Sequence, residues 1–473
     1  MGPYCSGMAR FPFRCFGDLQ ASPVRRSSHM TKPRNDGSGE TPATRFVRGF
    51  RSKLAGDAGT LFVAHVLGLV VPFITVPYLA RVLRPEGFGL LIFAQSFGLW
   101  LALVIEFGFD LSGTRGISRI RGDPARLAEV VLGIQSAKIV AFLLTIPVAV
   151  TTFFAVPLFR ENPAYLLWGF LFAAARGLNP NWYFLGQERM AAPAFLEAGG
   201  KVIAAAGVFL LVKAPEDGWR VLALQALGMG AAVAYMTGWM HSEVSWARPS
   251  LRAGLHTLKK SAGIFVFRGS SGLYMQANAF ILGLLAAPSV VGFFGGAERI
   301  VRAGISLLQP LSQAFFPRVS HSVVNDPAEA GRLFGLSLVW IGGLAFIMGA
   351  TSFLAAPILV KILLGPGYDS AITILQALSV LLPIIGVGTV FGIQWALPLG
   401  FELPFSALVL LAGALNVALA LILVPRFGGM GMAGSVVTAE ALVAGGLVIL
   451  FHRKGGRFWP LRMASTKSVH EHS

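Results

Sequence analysis

Apolar runs of about twenty residues recur from Leu54 to Phe451, separated by short polar breaks. A helical run of that length crosses the roughly 30 Å hydrocarbon core of a bilayer. They fall at about 57–80, 87–109, 129–155, 164–180, 193–213, 219–240, 261–287, 292–316, 333–362, 371–395, 404–424 and 431–451. The sequence therefore predicts an all-α integral membrane protein with about twelve transmembrane helices. Composition agrees, with 55% hydrophobic and 13% charged residues, against about 25% charged in soluble domains. That excludes a soluble enzyme and a disordered chain. The two cysteines, Cys5 and Cys15, make neither a disulfide framework nor a cysteine-based zinc site.

The basic residues set an orientation. With the N-terminus in the cytoplasm, 26 of the 39 Lys and Arg residues fall on the cytoplasmic side. Seven fall outside (Arg81, Arg84, Arg160, Lys213, Arg220, Lys361 and Arg426) and six within spans. This bias predicts both termini inside. The net charge of +17 then reflects topology and not a nucleic-acid surface. Residues 1–53 are polar, basic and proline-containing, with no apolar segment of the secretory kind, and read as a disordered tail. Met30 offers a shorter reading frame. The expected organisation is a six-helix lobe at 54–240, a cytoplasmic basic linker at 241–260, a second six-helix lobe at 261–451 and a cytoplasmic tail at 452–473.

The two halves echo each other. Leu83–Gln95 reads LRPEGFGLLIFAQ and Ala286–Glu298 reads AAPSVVGFFGGAE. A shift of 203 residues places Pro85 on Pro288, Gly89 on Gly292 and Ala94 on Ala297. Each segment enters an even-numbered span, so the halves would run in parallel, a known transporter arrangement.

No catalytic motif or metal-ligating cluster appears at usable spacing. The outer loops are about ten residues or fewer, too short to carry a membrane polymerase or glycosyltransferase site. The expectation is a protein that is not an enzyme and takes no cofactor and no metal. Chemistry then rests on ionisable residues inside spans, which are costly and usually face a cavity or a partner. In the 292–316 span, Gly295, Arg299, Arg302, Ser306, Gln309 and Gln313 follow spacings of 4, 3, 4, 3 and 4. They form one polar stripe suited to a water-filled lumen; snorkelling of both arginines to the headgroups is the competing reading. Lys138 shares its face with Gln135 and Thr145 and reads as luminal. Arg268, with Ser271 and Asn278 on a similar face, lies near the cytoplasmic end, where snorkelling competes equally. Lys201 stands four residues after Glu197, a pair that can neutralise itself. Arg176, one turn before Asn179, is another snorkelling candidate. Glu106 and Asp110 share a face and could pair with Arg115 or Arg119, or exchange protons as a coupling site. His65 reads as a packed core residue.

Over the span interiors Lys138, Arg176, Lys201, Arg268, Arg299 and Arg302 outnumber Glu106, Glu197, Glu298 and Glu440. A cationic cavity attracts an anion, and arginine forks fit phosphate oxygens. An organic-cation exporter would need the opposite sign.

Five segments carry a resemblance: Val76–Phe97, Glu106–Asp123, Asn179–Met190, Val291–Ser320 and Leu423–Ser435. Together they resemble the Wzx-type polysaccharide (O-antigen) flippases of the multidrug/oligosaccharidyl-lipid/polysaccharide exporter superfamily, over about residues 54–451. The resemblance implies a two-lobed bundle in the bacterial inner membrane that flips undecaprenyl-pyrophosphate-linked oligosaccharide by alternating access, for lipopolysaccharide or other polysaccharide biosynthesis. It also implies membrane-lipid contact and, as further partners, a polysaccharide polymerase and a chain-length regulator. In relatives, cavity cations hold the pyrophosphate; Arg302, within AERIVRA, is the matching position and Arg299 the next. The family's WxxxGxE element falls on Trp182, Gly186 and Glu188, with a structural role. Lys138, Lys201 and Arg268 enter as substrate-binding candidates on physical grounds alone. A cation/drug antiporter on the same fold is the alternative, and a lipid II flippase would carry two further helices.

Overall fold

The computed structural model describes residues 42–244 and 249–454, with side chains other than those of 42–62, 65, 69, 264 and 266–275. Contacts divide the chain into two units, Met1–Lys53 and Leu54–Ser473. Of the first, residues 42–53 are helical, where the sequence reading expected irregular chain. Phe46, Phe50 and Leu54 recur every fourth residue, a helical period hidden there among basic residues. The rest of the tail reading, the cytoplasmic tail after Lys454 and the alternative start at Met30 fall outside the described residues.

Among the described residues there is no strand. The helices are α1 (Pro42–Glu106), α2 (Phe109–Ser118), α3 (Pro124–Ala155), α4 (Pro157–Glu161), α5 (Pro163–Gly177), α6 (Asn181–Gly186), α7 (Ala191–Leu211) and α8 (Gly218–Glu243). After the linker come α9 (Leu251–Leu285), α10 (Pro288–Asn325), α11 (Pro327–Ser337), α12 (Gly343–Leu354), α13 (Ala356–Leu363), α14 (Ser370–Ser379), α15 (Leu381–Thr389) and α16 (Glu402–Lys454). Two of these are double. Helix α1 breaks at Arg84 (φ 56°, ψ 173°), because Pro85 disfavours helical geometry in the residue before it. Helix α16 breaks at Gly428 (φ 53°). The expected spans 333–362 and 371–395 are each divided, with π-helical segments at Leu338–Gly342 and Val390–Ala396.

Among the described residues, seven stretches are long and apolar enough to cross a membrane: Val66–Ser118, Pro124–Ala155, Ala191–Leu211, Pro215–Glu243, Pro327–Leu354, Ser370–Ala396 and Glu402–Lys454. Helix α5 falls short at 15 residues. Helix α10 is missing from this set because it carries Glu298, Arg299, Arg302, Gln309 and Gln313. A helix that polar needs protein around it rather than lipid.

The 203-residue echo is a physical contact. A Cβ on Gly89 would stand 1.7 Å from the Pro288 carbonyl oxygen, and one on Gly292 would stand 2.2 Å from that of Pro85. The second half of α1 and the start of α10 thus cross backbone to backbone, related as the repeat relates them. The same shift reaches further than the sequence reading took it. Asp123-Pro124-Ala125 recurs as Asp326-Pro327-Ala328, opening α3 and α11. Asp123 caps its helix through the Arg126 N–H, and Asp326 through the N–H groups of Ala328 and Glu329. Proline at the first helical position completes both starts.

Three buried clusters follow from this plan. The largest joins residues of both halves around the crossing, including Phe88, Phe93, Phe294 and Tyr368. The Tyr368 hydroxyl donates to the Ala80 carbonyl at 3.0 Å, tying α1 to the loop before α14. A second cluster gathers Phe109, Trp182, Phe184 and Met236 in the first half, and a third gathers Phe334, Phe391, Trp395 and Phe451 in the second.

Candidate functional site: a cation-lined cavity

A cavity of about 570 Å³ opens beside the crossing, lined from α1, α5, α7, α8, α9 and α10. Its apolar wall comes largely from α1, with Val71, Pro72, Phe73, Val76 and Leu79. Its charged lining consists of Arg176, Lys201, Arg299 and Arg302. No carboxylate lines it among the described residues.

Each cation is held differently. Arg299 donates from Nη2 to Gln95 Oε1 at 2.6 Å, and Gln95 Nε2 donates in turn to Gln225 Oε1 at 2.9 Å. Its guanidinium also lies 5.1 Å from the Phe88 ring centre, a favourable cation–π distance. This relay of α10, α1 and α8 fixes Arg299 across the junction of the two halves. Arg302 donates from Nε and Nη2 to one oxygen of Glu298, at 3.1 and 2.7 Å. Arg176 and Lys201 make no hydrogen bond or ion pair among the described residues. Their ammonium and guanidinium groups are the accessible donors of the site.

The polar stripe of α10 divides. Arg299, Arg302 and Ser306 line the cavity, Gly295 packs against Ile92, and Gln309 and Gln313 are exposed beyond it. Glu197 does not take Lys201 as its partner. Its Oε1 accepts from the side-chain amides of Asn179 and Asn181, which leaves Lys201 to the cavity. Lys138 lies apart from the lining residues, at 2% exposure. Its Nζ donates to the Asn179 carbonyl at 2.7 Å, with Asp110 and Glu106 near enough to act on its charge. Glu106 Oε1 accepts the Asp110 N–H at 2.9 Å. Lys138, Glu106, Asp110 and Glu197 thus belong to a polar knot between the end of α1, α2, α3 and α7. The side chains of Arg268 and His65 lie outside the described residues.

Trp182, Gly186 and Glu188 sit away from the cavity, in the second cluster and the loop after it. Trp182 is 1% exposed and packs where a Cβ on Gly113 would be 2.9 Å from its ring. Arg121 donates to the Gly186 carbonyl at 2.6 Å and pairs with Glu188 at 3.0 Å. That guanidinium holds the Glu188 carboxyl below the usual carboxylate range.

Three glutamines, Gln95, Gln225 and Gln276, line the site without having been singled out in the sequence. One signal pointed to the first: the 203-residue shift superposes Gln95 on Glu298, and each of them holds an arginine of α10. Arg176 stood out in the sequence only as a snorkelling candidate.

A body whose elements are all helical among the described residues, with long apolar helices around a cation-lined cavity, defines a transporter-like architecture. Comparison with known proteins is consistent with it. Residues 54–323 match the polysaccharide biosynthesis protein family, and the chain belongs to that family. A protein of Escherichia coli (strain K12) bearing the name "Putative O-antigen transporter" is 28% identical over 414 residues, covering 85% of this chain and 98% of that one. Among solved structures, the lipid II flippase MurJ in an inward closed conformation aligns with a TM-score of 0.62 at 14% identity, over 84% of this chain and 87% of that one. An inward-facing multidrug resistance MATE family transporter of the MOP superfamily aligns at 0.61 and 17% identity, over 86% and 96%. At those identities the two structures establish a shared fold.

Proposed function

We propose that this protein flips an undecaprenyl-pyrophosphate-linked oligosaccharide across the bacterial inner membrane for polysaccharide or O-antigen synthesis. The observation that carries the reading is the cavity lining, which among the described residues holds four cations, three glutamines and no carboxylate. A diphosphate carries the charge such a site attracts, and arginine forks with a lysine are the donors suited to its oxygens. The apolar wall from α1 suits the start of a lipid tail. A drug-cation antiporter on this fold would find four like charges facing its substrate.

In this reading about twelve helices span the membrane with both termini cytoplasmic, and the 54–240 and 261–451 halves, joined by 241–260, open alternately to each side. The Gly89–Gly292 crossing closes the outer end while the cavity receives the headgroup from the cytoplasm. Glu106 and Asp110, beside Lys138, are candidates for ion coupling; a polymerase and a chain-length regulator act on the delivered product.

The test is complementation of a flippase-deficient strain, scored by surface polysaccharide. Wild-type protein should restore it, while Lys201→Ala with Arg176→Ala should not, at equal membrane abundance. Full activity in that double variant would remove the cavity from the transport path.

A further inference from the structure

Among the described residues, Arg302 is the one cavity cation held by an acid. Glu298 stands one turn before it on α10, and a single carboxylate oxygen accepts from its Nε and Nη2. Glu298 is the less exposed partner, with 17% of its side chain accessible against 40% for Arg302. The repeat supplies a comparison within the molecule. At the equivalent position of the first half stands Gln95, which holds Arg299 through a neutral amide oxygen. Both arginines reach the cavity from α10, Arg299 held through a neutral amide of the first half and Arg302 paired directly with a carboxylate of its own helix.

We propose that Glu298 is a specificity-determining counter-ion: it occupies Arg302 and yields it only to a headgroup carrying two or more negative charges. This rests on the flippase reading of the cavity. A singly charged phosphate or carboxylate is satisfied by Arg176, Lys201 or Arg299 and gains little by competing with an intramolecular carboxylate at 2.7 Å. A pyrophosphate places a second anionic group within the same site and competes for Arg302 on charge as well as geometry. Glu298 thereby selects by rejection, because the wrong ligand meets an arginine that already has its partner. The lipid-linked diphosphate is discriminated from the abundant monoanionic headgroups of the membrane.

The experiment measures binding of inorganic pyrophosphate and of inorganic orthophosphate to the purified full chain in lipid nanodiscs, in mildly acidic buffer where orthophosphate carries one negative charge and pyrophosphate two. Wild-type protein should prefer pyrophosphate. Glu298→Gln, which copies the chemistry of Gln95, should tighten orthophosphate about tenfold, the scale of one charge-assisted contact, and narrow the preference. Glu298→Asp, one methylene shorter, should narrow it part of the way and gives a second reading if the glutamine variant folds poorly. Gln95→Glu should do the reverse, weakening orthophosphate more than pyrophosphate. A merely structural Glu298 would lower thermal stability without moving the ratio of the two affinities, and an unchanged ratio in a folded variant overturns this inference alone. Wild-type protein that binds neither anion overturns the anionic cavity itself, and this inference with it.

Discussion

Substituting Gly292 by alanine tests the crossing on which both the repeat and the cavity depend. The added Cβ would lie 2.2 Å from the Pro85 carbonyl oxygen and 3.3 Å from the Gly89 nitrogen. Ordinary contact is about 3.5 Å, so α1 and α10 must part by more than an ångström. Neither obstacle is a side chain that can rotate away; both are backbone. Overpacking of this kind costs about 1–3 kcal/mol, and the gap would also loosen the Arg299–Gln95 contact made between the same two helices. Gly89→Ala, with 1.7 Å to the Pro288 oxygen, should cost at least as much. Gly445→Ala in α16 is the control, since nothing lies within 4 Å of its added methyl; there the usual preference of helices for alanine applies, up to about 1 kcal/mol in the opposite sense. Thermal unfolding in detergent or nanodiscs reads the difference, and surface polysaccharide in the complemented strain reads its consequence. Equal melting temperatures for the Gly292→Ala and Gly445→Ala proteins would refute the close crossing.

Three further outcomes follow from the same geometry. Lys201→Ala should leave thermal stability nearly unchanged and reduce headgroup binding roughly ten- to a hundred-fold, because it removes a donor with no protein partner; a stability loss with normal binding would reverse that assignment. Lys138→Ala should do the opposite, since it leaves the half-buried Asn179 carbonyl without its donor, at about 1–3 kcal/mol, and a variant with normal melting but no transport would place Lys138 in the transport path. Because Arg121 lowers the pKa of Glu188, their pair is intact above the usual carboxylate range and is lost as pH falls through the lowered value. The melting temperature should therefore drop in acid less steeply for Glu188→Gln than for wild-type protein, and parallel profiles would show that this pair does not couple to folding.

What could be read from the sequence, and what could not, divides along a physical line. Helical spans declare themselves, because a bilayer demands some twenty apolar residues in a row whatever the neighbours are. The polar stripe of α10 was legible for a related reason: an arginine in such a run needs a cavity or a partner, and the period of 3.6 says which residues share its face. Partner choice was not legible. Glu197 sits four residues before Lys201, the spacing of a self-neutralising pair, yet its carboxylate goes to Asn179 and Asn181. Those two residues reach it only because Pro180 and the short α6 turn the chain back towards α7, a tertiary fact with no local signature. Lys138 and Arg176 changed places for the same reason, one drawn into the knot around Asn179 and the other left facing the cavity.

The repeat is where sequence and structure say most together. Pro85 with Gly89 and Pro288 with Gly292 are few matches in a biased composition, but they become a constraint once each glycine is seen to admit the other segment's proline carbonyl. A duplicated helix that meets its own copy must carry the small residue in both copies, since a side chain on either one blocks the approach. Gln95, at the cavity wall, and Glu298, which holds the lining Arg302, lie farther along the same two helices, past the crossing, where packing no longer forces the copies to agree. There the positions differ by one charge while each still holds an arginine. Identity was retained where backbones touch, and divergence is found where a ligand would be met, so a charge at position 298 has a use that packing alone does not supply.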